Sequence, residues 1–194
     1  MSERNELNDS PSTVTNSNSD SKINLLEYKK SNKENLEEES DFQNKSIIEK
    51  IAEAIECIVE ENIKTKTKNK VNIFYSTKEP SISLDDYLIR IQKYTDIENN
   101  TLVLSLIYID RLLNATDIEL NNYDVHKLVF TAIIIAIKYN QDILYNNSYY
   151  AKVGGISAKD LNKLEYRFLL FINFNLFVRN EEFQNYCKYL YNQD

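Results

Sequence analysis

Apolar residues begin to recur at spacings of three and four only from Ser46 onward. Ile47, Ile48, Ile51, Ala52, Ile55, Ile58 and Val59 fall on one face of a helix, with Glu and Lys opposite. A Lys-rich polar stretch, Ile63 to Lys70, reads as a solvated linker, and Val71 to Tyr75 as a short apolar anchor before Pro80. Five further helices are predicted. Ser83 with Asp86 forms a capping box that opens the first, whose stripe is Leu84, Tyr87, Leu88 and Ile91. The second runs from about Asn99 to Leu113. The third, about Tyr123 to Tyr139, is apolar around most of its circumference, so other helices must enclose it. Ser157 with Asp160 opens the fourth, carrying Leu161, Leu164, Phe168, Leu169 and Ile172. Asn180 is placed to cap a fifth, with Phe183, Tyr186, Cys187 and Leu190 as its stripe.

Between the third and fourth helices, about Asn140 to Ile156, the connection is longer than compact domains usually carry. It contains both glycines of the chain, Gly154 and Gly155, which points to a short helix from about Ser148 to Val153, started by Asn147 and stopped by the pair. Before Lys45 the chain is rich in Asn, Ser, Glu and Lys without sustained periodicity. Such a composition predicts a disordered polar tail. The expected organisation is therefore all-α: a tail over 1–45, a flanking helix and linker over 46–79, and a five-helix domain over 80–194.

Composition narrows the function. Only 2 Gly and 2 Pro in 194 residues leave few β-turn sites, against a many-stranded sheet. The net charge is −7, with 12 basic against 16 acidic residues through Pro80 and 11 against 14 beyond, so neither half offers a nucleic acid a positive footprint. The longest apolar run, Leu128 to Ile137, is half of what a membrane span needs. Cys57 and Cys187 form no metal or redox spacing, and with no secretory leader in view an intracellular location, nucleus or cytoplasm, is expected. His126 is the only histidine, expected exposed or capping, and no nucleophile, phosphate loop or metal-ligand cluster accompanies it. The expectation is a protein that is not an enzyme and needs no cofactor or metal.

Four charges sit oddly. Glu165 falls within the arc of Leu161, Leu164, Phe168 and Ile172, where an unpaired carboxylate is costly. Lys138 ends the apolar run of the third helix, where it complements the helix dipole. Asp110 interrupts the second helix, and Arg90 borders the first; these two suit an internal ion pair.

These segments resemble a cyclin box, and in particular the P/U-type cyclins related to the yeast phosphate-response cyclin. The most specific piece is Asn147-Ser148-Tyr149-Tyr150-Ala151-Lys152-Val153-Gly154-Gly155-Ile156-Ser157, followed by Asp160-Leu161-Asn162-x-Leu164-Glu165. The family pattern has Glu where this chain has Asp160, a conservative departure. Tyr87-Leu88-Ile89-Arg90-Ile91, Ile107-Tyr108-Ile109-Asp110-Arg111-Leu112-Leu113, His126-Lys127-Leu128 and Ala136-Ile137-Lys138-Tyr139 support it in order. The resemblance implies a single five-helix box that docks on a cyclin-dependent kinase as a heterodimer and activates it. It implies that Lys138 and Glu165 grip the kinase, with Tyr149, Tyr150 and Lys152 as further contacts. Arg90 with Asp110, and Gly154 with Gly155, would be structural. The alternative is a cyclin-fold scaffold or transcription-associated adaptor that activates no kinase.

Overall fold

Ser46 opens the first helix by a reciprocal cap: its N–H donates to the Glu49 carboxylate at 2.6 Å, and its hydroxyl accepts from the Glu49 N–H at 3.3 Å. The structure, a computed structural model, describes residues 46–64 and 71–191. The expected tail over 1–45, and most of the expected linker, lie outside the described residues.

Seven helices are present among the described residues: α1 (Ile47–Lys64), α2 (Leu84–Thr95), α3 (Asn99–Ala115), α4 (Val125–Asn140), α5 (Asn147–Gly154), α6 (Ala158–Phe171) and α7 (Asn180–Tyr191). Both capping boxes anticipated from sequence form. The Ser83 hydroxyl accepts from Asp86 N–H at 3.4 Å, and that of Ser157 from Asp160 N–H at 3.0 Å. The short helix also forms, but its cap is Asn146, whose side chain accepts from Tyr149 N–H at 2.9 Å. Asn147 is thereby the first helical residue, and its side chain is released for another use. No helix among the described residues is long and apolar enough to cross a membrane.

At the centre lies α4, with Leu128 to Ile137 buried throughout. It packs most extensively on α3, then on α6 and α5. The flanking helix α1 is not a separate layer. Its apolar stripe packs on α2, α3 and α7 and joins the same core. The anchor after the linker works through one residue: Phe74 is fully buried edge-on to Phe168 at 6.1 Å, whereas Val71 is exposed. This segment is fastened to the start of α4 by Asp124, a buried carboxylate that accepts from the side chains of Asn72 and Asn121 at 2.7 and 2.8 Å. Burial pushes the Asp124 carboxyl up from its ordinary range, against the hydrogen bonds that hold it down.

The two glycines serve different purposes. Gly155 takes φ +70°, a left-handed conformation in which a side chain is strained, and the N–H of Ile156 closes back on the Ala151 carbonyl at 3.0 Å. Gly154 has an ordinary helical backbone but faces the ring of Phe130 too closely for any Cβ.

Candidate kinase-docking site

Lys138 and Glu165, far apart in sequence, meet where the end of α4 crosses α6. The Lys138 ammonium lies 2.6 Å from Glu165 Oε1. The other carboxylate oxygen accepts from the Asn147 amide at 2.7 Å, and the same amide donates to Asn162 Oδ1. Three elements thus orient one carboxylate: α4 supplies the cation, α5 the amide, and α6 the acid with its neighbour one turn earlier. The side chain of Glu165 is 11% exposed and that of Lys138 31%. A pair with one partner near solvent is intermediate between surface and buried cases, contributing about 1 kcal/mol. An ammonium carries three donors, and Lys138 uses one on Glu165, leaving donors for a partner.

Several exposed apolar side chains lie near the pair along the chain. Tyr139 follows Lys138, and Ile143, Leu144 and Tyr145 lie in the α4–α5 connection. Beyond α6, Phe174 and Phe177 are also largely exposed. Large exposed apolar groups are the usual composition of a protein-binding surface.

Three sequence expectations need correction. Tyr150 is no surface residue: it is buried, and its hydroxyl accepts from the Tyr145 N–H at 3.1 Å. Tyr149 is half-buried, packs against Tyr145 with tilted rings 4.3 Å apart between centroids, and donates its hydroxyl to the Tyr94 carbonyl at 2.6 Å, while Lys152 is exposed. Arg90 and Asp110 do not form the expected pair. Arg90 lies on the exposed side of α2 and reaches the Lys152 carbonyl at the end of α5, 3.4 Å away, where a cation complements the helix dipole. Asp110 is buried on the face of α3 that meets α7, and accepts a short hydrogen bond from Tyr186. The ring of His126 is half-buried against Tyr87, with Nε2 2.9 Å from the Ile82 carbonyl, so it neither caps nor lies exposed.

Sequence reasoning missed Asn147 and Asn162 as supports of Glu165, and Tyr186 as a partner of Asp110. Asn147 carried a usable signal, since two successive asparagines stand at the start of the short helix and only one is needed as its cap.

Comparison with known proteins agrees with this architecture. A family model described as Cyclin matches residues 2–176. Cyclin-U4-1 of Arabidopsis thaliana is 34% identical over 160 residues, covering 78% of this chain and 79% of the relative. Cyclin-U4-3 of the same plant is 36% identical over 146 residues, covering 75% and 67%. The PHO85 cyclin-like protein psl1 of Schizosaccharomyces pombe is 40% identical over 124 residues, covering 63% and 51%. With its all-helical fold, its Gly154-Gly155 turn and these relatives, the chain belongs to the cyclin family, alongside the P- and U-type members.

Proposed function

We propose that this protein is the regulatory subunit of a cyclin-dependent serine/threonine kinase, binding it as a heterodimer inside the cell and switching it on in cell-cycle or nutrient signalling. The observation that carries this reading is the Lys138–Glu165 pair, oriented by Asn147, with exposed apolar side chains near it along the chain. A partly exposed charge pair selects a partner by electrostatic complementarity. The relative named PHO85 cyclin-like supports the partner class. A kinase is active only when its C-helix glutamate pairs with the catalytic lysine. A rigid helical surface that binds that arrangement better than the alternative shifts the kinase toward it. Phosphoryl transfer itself belongs to the kinase.

The test is co-expression with cyclin-dependent kinases, measuring affinity and phosphoryl transfer for the wild type and for Glu165→Ala. Removing Glu165 leaves Lys138 and Asn147 without their shared acceptor, and binding is expected to weaken by about tenfold or more. Binding without any gain in phosphoryl transfer would make the protein a scaffold. A wild type that binds no kinase would end the proposal.

A further inference from the structure

We propose that Arg111 is a positioning residue of the docking surface: it holds the turn after α6 in the conformation that presents Phe174 and Phe177 to the partner. This rests on the kinase-binding reading above. Helix α6 closes with Asn173 N–H on the Leu170 carbonyl at 3.1 Å and Phe174 N–H on the Leu169 carbonyl at 2.8 Å. Both residues take positive φ, 51° at Asn173 and 54° at Phe174. Asparagine tolerates the left-handed region, but a bulky aromatic there is an outlier that the surroundings must enforce.

Side chains of α3 enforce it. Arg111 donates from Nη1 to the Asn175 carbonyl at 2.6 Å and from Nη2 to that of Phe177 at 2.9 Å, and the same nitrogen meets the Glu182 carboxylate at 2.9 and 3.0 Å. The intervening carbonyl, of Leu176, accepts from Tyr108 at 2.9 Å. Three successive carbonyls are thus held from one helix, and the planar guanidinium reaches two of them and α7 at once, which a lysine cannot do. Burial does not explain the strained backbone: Phe174 is 57% exposed and Phe177 69%. A turn needed only to reverse the chain would place glycine at the second left-handed position. Strain that displays an aromatic side chain to solvent, in the turn that follows the helix carrying Glu165, fits a contact surface kept preorganised.

The experiment compares Arg111→Ala, Phe174→Gly and their double variant with the wild type. It reads affinity for a cyclin-dependent kinase that binds the wild type, melting temperature, and amide exchange of Phe174 and Asn175 in the unbound full chain. Arg111→Ala is expected to speed exchange at those two amides by about tenfold while α4 amides stay protected. It is expected to weaken kinase binding by about fivefold or more. Phe174→Gly relieves the backbone, so it should hold its melting temperature yet lose a similar factor in binding. The double variant should bind no more weakly than the weaker single variant, because both changes remove one presented side chain. Unchanged exchange in Arg111→Ala, or binding losses that multiply in the double variant, would overturn the inference even with Glu165→Ala behaving as expected. If no kinase binds the wild type, the functional reading fails and the docking role of Arg111 falls with it, while the exchange data alone decide whether Arg111 holds the turn.

Discussion

Replacing Gly154 by alanine tests the packing of α5 on the core. The position has a helical backbone, so alanine by itself should favour the helix by about 0.5–1 kcal/mol. Against this, a Cβ built on Gly154 would lie 2.3, 2.4 and 2.8 Å from Cε1, Cζ and Cδ1 of Phe130. Phe130 is fully buried on α4, its ring centroid 6.2 Å from that of Tyr87, so it has little room to turn away. Moving α5 instead would stretch the bond from the Tyr87 hydroxyl to the Gly154 carbonyl, now 2.9 Å. Overpacking costs about 1–3 kcal/mol and a lost hydrogen bond about 1 kcal/mol. The net is about 1–3 kcal/mol. At roughly 3 °C per kcal/mol for a domain of this size, melting followed by circular dichroism should fall by about 3–9 °C. Gly155→Ala is the control: nothing lies within 4 Å of its Cβ, and only the backbone at φ +70° is strained. About 1 kcal/mol, or about 3 °C, is expected there. Shrinking the obstacle with Phe130→Leu should recover part of the Gly154→Ala loss, although it destabilises the wild type. A Gly154→Ala protein that melts at or above the wild type, or a Phe130→Leu change equally harmful in both backgrounds, would refute the reasoning.

Two further predictions concern buried polar groups. Tyr186→Phe removes the hydroxyl that donates to buried Asp110 and should cost about 1–3 kcal/mol in urea unfolding; an unchanged midpoint would mean that other contacts of Asp110 suffice. Burial holds the His126 imidazole below its ordinary pKa of 6.5, and Nδ1 is buried without a hydrogen-bond partner among the described residues. The unfolded chain therefore takes up this proton more readily than the folded one. Stability from this group is complete above pH 6.5 and declines as pH falls through that value, until the folded imidazole itself titrates. His126→Gln should flatten this part of the melting-temperature profile between about pH 7.5 and 5.5; a variant with the same slope as the wild type would place the titration elsewhere.

Helix positions and the central place of α4 were legible in the sequence because they depend on local information. Period, caps such as Ser83 and Ser157, and an apolar circumference each act within a few residues of chain. Glu165 was recognisable as a charge needing a partner for the same reason, since its azimuth follows from its helix alone. Which partner it found was not. Lys138 and Asn147 reach it only because α4, α5 and α6 converge, and Arg90 and Asp110 stay apart because α2 turns Arg90 toward α5 while α3 turns Asp110 toward α7. Tyr149 and Tyr150 show the same limit at one step of chain: on a helix of about two turns, only docking against α2, α4 and α6 decides which ring is buried. Gly155 announced its left-handed turn, but the need for Gly154 comes from Phe130 on another helix. Periodicity gives each side chain a direction from its own axis; which atoms lie in that direction depends on how the helices pack, and that is set by the volume and shape of the whole core.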